Sequence, residues 1–433
     1  MRQEQIVRVP NSHCENNKSV LIITSHYPYP PGEQFLESEM PAWVKHFKGR
    51  VVVMPRNTKG QPRNFPDKIV LSPALSKAYE SIFDRVQAAI SSIFQPTLWK
   101  ELNLLYKRNL LSIGTFRGAF KAVTHVMLVR KVLLREYRNR AHPSLVYTYW
   151  FSYPTYAAVA SALRSSVLTR AHGGDLYEDR SPEGHLYLRR QFIRQIDRVY
   201  AISDDGVRYL RDIFSADRNV SLSRLGVSVP DVSSPPTAAE AVSILSLSYC
   251  VSVKNIDRII EGIRIASERN PATEFIWRHI GDGPLRATLE AHAGRAFAAT
   301  SVRWQFLAHM ENIDVLRFME ENSIDFILNA SSSEGIPVSI MEAMARGIPA
   351  IAPDVGGISE LVGEEFGVLL PSKASSEDIA DAITMRIDYL KSSVVRNGAK
   401  EKIKKIYNSE LNYEHFIRDV ITLTDPGDLD ALQ

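Results

Sequence analysis

The most constraining feature of the sequence is a strand, loop, helix and strand pattern between residues 324 and 362. The apolar run 326–328 has the length of a buried strand, and 350–352 predicts the next strand. Pro337 suits the first turn of the helix between them, and Gly347 marks the end of that helix. Two buried strands joined by a helix predict a parallel sheet and therefore an α/β fold.

The same pattern places two carboxylates beside a predicted anion site. A loop of small residues that opens a helix leaves free backbone N–H groups and a positive helix end, which suit a phosphate. Glu334 lies in this loop and Glu342 in the helix, where both would repel an anion. We therefore expect them to face neutral hydroxyls, as a carboxylate does with a nucleotide ribose. The predicted ligand is a nucleotide that carries a sugar.

The stretch from Glu334-Gly335-Ile336-Pro337 to Glu342, followed by Gly356-Gly357, resembles the E-x7-E region of the retaining glycosyltransferases of family 4. The resemblance implies the GT-B fold, which is an α/β architecture of two Rossmann-like, doubly wound parallel-sheet domains facing a cleft. It also implies that Glu334 meets the donor sugar and Glu342 the ribose. An alternative is that Glu342 only pairs with Arg346 one turn on, and that Glu334 is a solvated loop residue.

The resemblance assigns the rest of this loop to the donor as well. Gly335 and Ile336 would line the donor site. The backbone N–H groups of Val338 and Ser339 would stabilise the phosphate that leaves.

Length and composition limit the class of protein. A chain of 433 residues is too long for one ordinary core, and 45% hydrophobic with 23% charged residues is typical of globular proteins, so we expect two domains. A net charge of +3, without Lys and Arg interleaved with exposed aromatics, argues against nucleic acid as a partner. Cys14 and Cys250 are too few for a disulfide framework or a zinc site. Without a long apolar run, the chain is expected to be cytoplasmic and without a membrane span.

The order of the predicted elements gives the domain organisation. Residues 1–232 are predicted to form an N-terminal acceptor-side domain, with a disordered lead-in at 1–18 and a last strand at 224–227. The Pro- and Ser-rich stretch 230–237 is a linker by composition. Residues 233–409 are predicted to form a nucleotide-sugar-binding domain. By resemblance, residues 410–433 comprise a helix that returns to the first domain, and a tail.

Two loops after predicted N-terminal strands are candidate site elements. Residues 25–33, which contain Gly32, resemble a variant of the family's first glycine-rich loop, which faces the donor phosphate and the acceptor. The alternative is a rigid surface turn stiffened by proline. Residues 170–177 resemble the acceptor-side loop, and they place His172 near the donor sugar, where it bonds a hydroxyl or orients the acceptor. The alternative is a structural histidine.

The loop after the strand 243–248 departs from the family pattern. The family commonly carries an Arg and a Lys five residues apart, and both hold the pyrophosphate. Lys254 matches the second position, but Tyr249 stands where the Arg would be. Charge-assisted contacts contribute roughly 1.5 to 3 kcal/mol each, so this departure leaves the identity of the donor open. No metal is implied, because the Asp-x-Asp sequence at 428–430 lies in the tail.

A helical insertion is predicted at about 72–140. Its part from 100 to 140 has ten Lys or Arg against two Glu, a formal charge of +8. Basic amphipathic helices can make peripheral contact with the inner membrane surface, at about 1 kcal/mol per cation. The alternative is a set of ordinary helices with solvated basic faces.

The resemblance implies a function. The chain would move a hexosyl group from a nucleotide diphosphate sugar, UDP- or GDP-linked, to a hydroxyl of a glycan or lipid-linked acceptor in surface polysaccharide biosynthesis. Glu334, His172 and Lys254 are the candidate catalytic residues. Two alternatives stay open: a nucleotide-sugar 2-epimerase of the same fold, and a non-catalytic nucleotide-sugar-binding partner, which Tyr249 suggests.

Overall fold

The computed structural model of the chain describes residues 18–30, 32–216, 218–238 and 240–424. These residues divide into two compact units. The first unit runs up to Ser223 and resumes at Tyr413, and the second is Arg224–Asn412. The predicted lead-in up to residue 17, Cys14 and the Asp-x-Asp sequence at 428–430 lie outside the described residues.

The first unit is built on a sheet of seven parallel strands in the order β3-β2-β1-β4-β5-β6-β7. Ile22 in the middle of the sheet lies opposite Val53 on one side and Tyr147 on the other. A strand predicted at 224–227 was wrong, because the last strand lies earlier and Val227 makes an isolated bridge with Asn408. The seven strands are β1 (Ser19–Thr24), β2 (Arg50–Pro55), β3 (Ile69–Leu71), β4 (Leu145–Thr148), β5 (Ser166–Ala171), β6 (Arg198–Ala201) and β7 (Val220–Leu222).

Eight helices of the first unit connect these strands. Four of them, α2 to α5, occupy the region where the insertion was predicted. The longest, α5, begins with a capping box in which Ser112 and Thr115 bond each other's backbone N–H. The eight are α1 (Leu36–His46), α2 (Ala74–Glu80), α3 (Ile82–Ile93), α4 (Pro96–Lys107), α5 (Ile113–Tyr137), α6 (Tyr153–Ala160), α7 (Arg189–Phe192) and α8 (Asp204–Phe214).

The second unit has six parallel strands in the order β10-β9-β8-β11-β12-β13. Its strands are β8 (Ala241–Leu247), β9 (Glu274–Ile280), β10 (Arg303–Phe306), β11 (Phe326–Leu328), β12 (Ala350–Pro353) and β13 (Gly367–Leu370). Its helices are α9 (Ile256–Arg269), α10 (Arg286–Ala296), α11 (Asn312–Glu321), α12 (Val338–Ala345), α13 (Ile358–Leu361), α14 (Ser376–Lys391) and α15 (Ser393–Ile406). The pattern between 324 and 362 is therefore β11, α12 and β12, as the sequence predicts.

The last helix, α16 (Ser409–Thr424), packs on the sheet of the first unit. Its Phe416 lies in the same buried cluster as the residues of β1, β2 and β4. The guanidinium of Arg170 lies 4.3 Å from the centre of the Phe416 ring and 3.6 Å from the carboxylate of Glu39. Arg170 and Glu39 are both fully buried, so this ion pair lies in the interior of the first unit, near the end of β5.

Parallel strands end at the same edge of a sheet, where ligands of such sheets usually collect. In the second unit, the neighbours β8 and β11 end beside each other, and in the first unit the neighbours β1, β4 and β5 do so. No helix of the described residues is both long and apolar enough to cross a membrane.

Candidate functional site

Two of the predicted site residues form an ion pair in the second unit. Lys254 follows β8 and Glu334 follows β11, and Nζ of Lys254 lies 2.5 Å from Oε1 of Glu334. The Nδ2 of Asn329 lies 3.4 Å from the same oxygen. Both charged side chains are partly buried. The structure therefore brings together two residues that are 80 positions apart and that were predicted to contact one ligand.

Hydrogen bonds between the two loops fix this pair in place. Ser332 N donates to the carbonyl of Val253 at 2.9 Å, and Nδ2 of Asn255 donates to the carbonyl of Ala330 at 2.9 Å. Asn255 has a φ of +46°, a conformation that Asn tolerates better than most side chains. The loops after β8 and β11 are therefore joined on both sides of the Lys254 side chain.

The start of α12 supplies backbone donors beside Glu334. Pro337 is the residue before the helix rather than its first residue, because α12 begins at Val338. The N–H groups of Ile340 and Met341 bond to the carbonyl of Pro337. The N–H groups of Val338 and Ser339 belong to the first helical turn, which lacks intrahelical acceptors. These are the two N–H groups that the sequence assigns to the phosphate.

The loop before α12 is supported by the turn at Gly356-Gly357. Gly357 N donates to the carbonyl of Gly335 at 2.7 Å. A Cβ on Gly357 would lie 2.5 Å from the side chain of Ile336, which is closer than real Cβ contacts. Glycine is therefore required there so that the turn can hold Gly335 and Ile336 in position.

Glu342 lies in α12 and is only 9% exposed. Its Oε1 accepts a 2.8 Å hydrogen bond from Nδ2 of Asn312. The Arg346 guanidinium lies 2.8 Å from a carboxylate oxygen of Glu320 and bonds the backbone carbonyl of Glu342. Burial raises the pKa of Glu342, although the Asn312 hydrogen bond and the charge of Arg346 lower it in part. Burial therefore disfavours the charged form of this carboxyl group.

Tyr249 is the most open of the predicted donor residues. It lies two residues beyond β8 and is 60% exposed. The next residue, Cys250, is buried and its N–H bonds the carbonyl of Asp282. The backbone at Tyr249 is therefore anchored while its ring is accessible for stacking or for a hydrogen bond.

In the first unit, the loop after β1 is organised by Glu33, a residue that the sequence analysis did not single out. The carboxylate accepts hydrogen bonds from the N–H groups of Ser25, His26 and Tyr27, at 2.9, 2.6 and 2.6 Å. It also accepts one from the indole of Trp150, at 2.5 Å. Glu33 is 4% exposed. Its buried carboxylate therefore occupies the N–H donors of this loop, which could otherwise bind a phosphate.

Gly32 serves this loop through its backbone conformation. Its φ is +81°, and a Cβ added there would meet no atom within 4 Å. The following residue also has a positive φ, of +57°. The positive φ therefore favours glycine at this position. The absence of a side chain leaves open space beside the loop.

His172 follows β5 and lies in an aromatic pocket. Its ring centre is 4.6 Å from that of Tyr149 and 4.5 Å from that of Trp150. Nδ1 lies 3.6 Å from the carboxylate of Asp175, whereas Nε2 has no hydrogen-bond partner within the described residues, although the residue is only 6% exposed. A buried nitrogen without a partner is rare in native structures, and Nε2 therefore favours a ligand or a bound water over a purely structural role for His172.

Asp175 positions His172. Its Oδ1 accepts the N–H of His172 at 2.6 Å, its Oδ2 accepts the N–H of Phe151 at 2.8 Å, and Oδ2 lies 3.6 Å from Nδ1 of the imidazole. Burial raises the pKa of Asp175, but the histidine and the two backbone N–H groups lower it more, so the net shift is downward. An ionised carboxylate therefore joins the loops after β4 and β5.

Among the described residues, no group of three or more His, Cys, Asp or Glu side chains could hold a metal ion. The predicted residues form two groups, one in each unit: Lys254, Glu334 and the start of α12 in the second, and Gly32 and His172 in the first.

The two parallel-sheet units give the chain the α/β GT-B fold. The structure superposes on the lipopolysaccharide outer core galactosyltransferase WaaB in its apo form with a TM-score of 0.64, over 93% of this chain and 99% of that chain at 15% identity. It superposes on Anabaena HepE in complex with UDP and glucose with a TM-score of 0.60, over 93% and 99% of the two chains at 15% identity. At 15% sequence identity, these two superpositions show that the fold is shared, and nothing more.

Sequence comparison adds the class of protein. Residues 108–225 match the model of the glycosyl transferase 4-like domain, and residues 234–405 match that of glycosyl transferases group 1. The chain is 27% identical over 262 residues to the putative colanic acid biosynthesis glycosyltransferase WcaL of Escherichia coli (strain K12), a match that covers 58% of this chain. The match spans 62% of that relative's length. The fold and the two family models together support a glycosyltransferase of the GT-B class.

Proposed function

We propose that this chain is a retaining glycosyltransferase of family 4. It moves a hexosyl group from a nucleotide diphosphate sugar to a hydroxyl of a glycan or lipid-linked acceptor, in surface polysaccharide biosynthesis. The observation that carries the proposal is the ion pair of Lys254 and Glu334, followed in the chain by the open first turn of α12. The similarity to the colanic acid glycosyltransferase supports the polysaccharide setting.

The first task of this site is to stabilise the phosphate that leaves. During transfer the bond between the anomeric carbon and the phosphate oxygen breaks, and a bond to the acceptor oxygen forms on the same face. The proton of the acceptor hydroxyl passes to the phosphate that leaves. Lys254 and the N–H groups of Val338 and Ser339 stabilise the charge that develops there, which is the largest protein contribution in such a step.

The carboxylates recognise the neutral parts of the donor. Glu334 accepts hydrogen bonds from hydroxyls of the donor sugar, and Glu342 does the same for the ribose. The burial of Glu342 raises its pKa and favours neutral partners. Tyr249 stands where, by the resemblance, the family commonly carries an arginine, and its exposed ring stacks on the nucleotide or bonds a phosphate. A solved GT-B neighbour in complex with UDP and glucose supports a nucleotide sugar as donor, and we propose that the donor is linked to UDP or GDP.

The acceptor side lies in the first unit. His172, whose Nε2 lacks a hydrogen-bond partner within the described residues, bonds a hydroxyl of the sugar or orients the acceptor. Gly32 leaves room for the acceptor beside the loop that Glu33 holds. A peripheral membrane contact belongs to the same proposal, because a lipid-linked acceptor is presented at a membrane surface.

Thermal unfolding with a panel of ligands tests the donor site. UDP, GDP and their sugars are added separately to the wild-type chain, to Glu342→Ala and to the exposed control Glu401→Ala. A ligand at a hundred times its Kd stabilises the folded state by ~2.7 kcal/mol. We expect one nucleotide family to raise the Tm of the wild type and the control, and to lose most of this effect in Glu342→Ala. An absence of any shift across the panel would contradict the donor site.

Turnover separates transfer from the two alternatives. The donor identified by the Tm shift is incubated with a panel of hydroxyl acceptors, and the released nucleotide is measured. Nucleotide release that requires an acceptor supports transfer. If NMR of the product shows the same anomeric configuration as that of the donor sugar, the transfer is retaining. Conversion of the donor sugar without an acceptor would identify an epimerase, and binding without any turnover would identify a non-catalytic partner.

A further inference from the structure

A group of exposed apolar side chains distinguishes the inserted helices of the first unit. Eleven large hydrophobic residues between positions 82 and 116 are exposed, whereas the twelve other exposed ones among the described residues are spread over positions 213–411. The eleven, called here the apolar surface, are Ile82, Phe83, Val86, Ile90, Ile93, Phe94, Trp99, Tyr106, Leu111, Ile113 and Phe116. So dense a group on a folded domain indicates an interaction site.

The helix α3 exposes its apolar face. Ile82, Val86, Ile90 and Ile93 recur at the three- and four-residue spacing that places side chains on one face of a helix, and all are exposed. The opposite face, with Ala88 and Ser92, is buried against α5. A soluble helix normally has the reverse arrangement, so the apolar face of α3 lacks a covering element within the described part of the chain.

The exposed charged side chains within the segment that carries this surface are positive. From residue 82 to 121 the exposed charged residues are Arg85, Lys100, Lys107, Arg117 and Lys121. The two acidic residues of this segment are engaged: Glu101 is buried against His185, and Asp84 forms a 2.6 Å ion pair with Lys131. Glu80, which precedes α3, is also exposed, so the charge beside this surface is mainly positive. Such an apolar surface is complementary to an anionic, apolar partner.

A lipid bilayer matches this chemistry better than a protein. Protein interfaces are depleted of lysine, whereas a helix that lies on a bilayer carries Lys and Arg beside Trp, Phe and Leu. Trp99 and Tyr106 are exposed amphipathic aromatics of the kind that settle at the depth of lipid headgroups.

We propose that the apolar surface and its five cations dock this chain on an anionic lipid bilayer. The apolar side chains of α3 enter the boundary between headgroups and acyl chains, while the cations meet lipid phosphates. This deepens the proposed function, because it names the surface on which a lipid-linked acceptor would be met. The surface is not the whole segment 100–140 of the sequence prediction. The apolar side chains of α5 at Val126, Val129 and Leu133 are buried in the core.

The docking surface is fixed to the loop that follows His172. From α4, Glu101 accepts hydrogen bonds from the ring of His185 at 2.7 Å and from the N–H of Leu188 at 2.9 Å. Arg108, directly after α4, bonds both carboxylate oxygens of Glu178 at 3.1 and 3.2 Å. Docking of α3 and α4 on lipid would therefore hold the loop from residue 175 to 190 at a fixed height above the bilayer.

Vesicle flotation of the full chain tests the proposal without donor or acceptor. Vesicles of phosphatidylcholine alone are compared with vesicles that contain phosphatidylglycerol, at low and high salt. Three proteins are compared: the wild type, a triple variant (Phe83→Ser, Ile90→Ser, Phe94→Ser), and a control with Met385→Ser and Val394→Ser, which are also exposed but lie in the second unit. Tm and any donor-induced Tm shift verify that each variant is folded.

We expect the wild type and the control to partition into anionic vesicles, with weaker binding at high salt. We expect the triple variant to lose about tenfold or more of its partition coefficient. Equal partition of the triple variant and the wild type, or no binding of the wild type to any vesicle, would overturn the proposal. A wild-type dimer in light scattering that the triple variant abolishes would assign the surface to a second copy instead. None of these outcomes depends on a nucleotide sugar, so failure here leaves the proposed transfer reaction standing.

Discussion

The side-chain amine of Lys254 and the carboxylate of Glu334 are paired at 2.5 Å across two loops of the second unit. The cation proposed to hold the donor phosphate is thus neutralised by the carboxylate proposed to hold the donor sugar. Because a phosphate would compete with Glu334 for the amine, donor binding is expected to exchange one ionic partner of Lys254 for another. Without a ligand, the ion pair compensates the charge of the lysine and holds its side chain in one orientation.

Substitution of each member of this pair should give opposite effects on nucleotide binding. Lys254→Met removes the phosphate contact and should weaken binding of the nucleotide diphosphate by about tenfold to a hundredfold, since a charge-assisted bond contributes roughly 1.5 to 3 kcal/mol. Glu334→Gln removes the competing charge, so the nucleotide diphosphate should bind at least as tightly as to the wild type. Its transfer rate should fall, because the sugar contact is weakened.

Isothermal titration with the nucleotide diphosphate and initial rates with its sugar measure the two effects. Lys373→Met, a change of an exposed lysine in the same unit, is the matched control. If both site variants bound the nucleotide diphosphate equally weakly, the exchange of partners at Lys254 would be wrong.

The buried carboxyl of Glu342 should make stability depend on pH in a direction opposite to that of an ion-paired acid. Its folded-state pKa is raised by burial above the ordinary value of 4.5. The folded chain therefore holds this proton more tightly than the unfolded chain. Its stability should fall as pH rises from 4.5 through the folded pKa, and the loss should persist above that pKa.

Glu342→Gln lacks this titration and should gain stability relative to the wild type as pH increases. Urea unfolding of both proteins at several pH values between 4.5 and 8 measures the difference, with Glu401→Gln as an exposed control. A difference in unfolding free energy that is independent of pH would show that Glu342 has no raised pKa.

The loop after β1 should depend on Glu33. Glu33→Ala leaves the N–H groups of Ser25, His26 and Tyr27 and the indole of Trp150 without their acceptor. We expect a loss of roughly 3 kcal/mol of unfolding free energy, the upper end for hydrogen bonds to a charged group. The wall of the His172 pocket should loosen too, so kcat/KM should fall.

Denaturant unfolding and acceptor titrations measure these changes. Glu37→Ala, in which an exposed carboxylate four residues on is removed, should change stability by less than about 0.5 kcal/mol. Added acetate should restore part of the lost Tm in Glu33→Ala only, because the vacated N–H groups bind a carboxylate. Equal loss in the two variants would show that Glu33 does not organise the loop.

The sequence predicts the fold well because alternation of apolar runs and helices is a local property. The strand 326–328 and the helix ending before Gly347 are visible in periodicity and in the position of glycine and proline. The predicted strand 224–227 was wrong because a short apolar run does not show whether it has a strand to pair with. That depends on residues far away in the chain. Val227 pairs with Asn408, which no local pattern indicates.

Candidate site residues could be named from the sequence where a motif carries them, but not where contacts between distant residues are needed to find them. Lys254, Glu334 and His172 stand in recognisable loops. Asn312, which bonds Glu342, lies 30 positions earlier on another helix, and no spacing links the two. Glu33 was overlooked because it follows a proline-rich loop as an isolated charge, and only the fold shows four donors converging on it.

The cluster around Glu178 should couple the inserted helices to the loop after His172. Burial raises the pKa of Glu178, but hydrogen bonds from His185, Arg108 and Arg190 lower it further, to about 2. Because the folded pKa is below the ordinary 4.5, this stabilisation is fully present above pH 4.5 and is lost as pH falls through about 2. Glu178→Gln removes the charge that three neighbours share and should destabilise the chain by roughly 3 to 5 kcal/mol at neutral pH.

Denaturant unfolding of Glu178→Gln and of Glu183→Gln, an exposed carboxylate in the same loop, measures this effect at pH 7 and at pH 3. The difference between Glu178→Gln and the wild type should shrink at the lower pH, while Glu183→Gln should stay within about 0.5 kcal/mol of the wild type at both. Hydrogen exchange should show faster opening of residues 175–190 and of α4 together in Glu178→Gln, because the same carboxylate holds Arg108 and Arg190. Faster exchange in the loop alone would mean that α4 is held to the unit by its apolar contacts without this cluster.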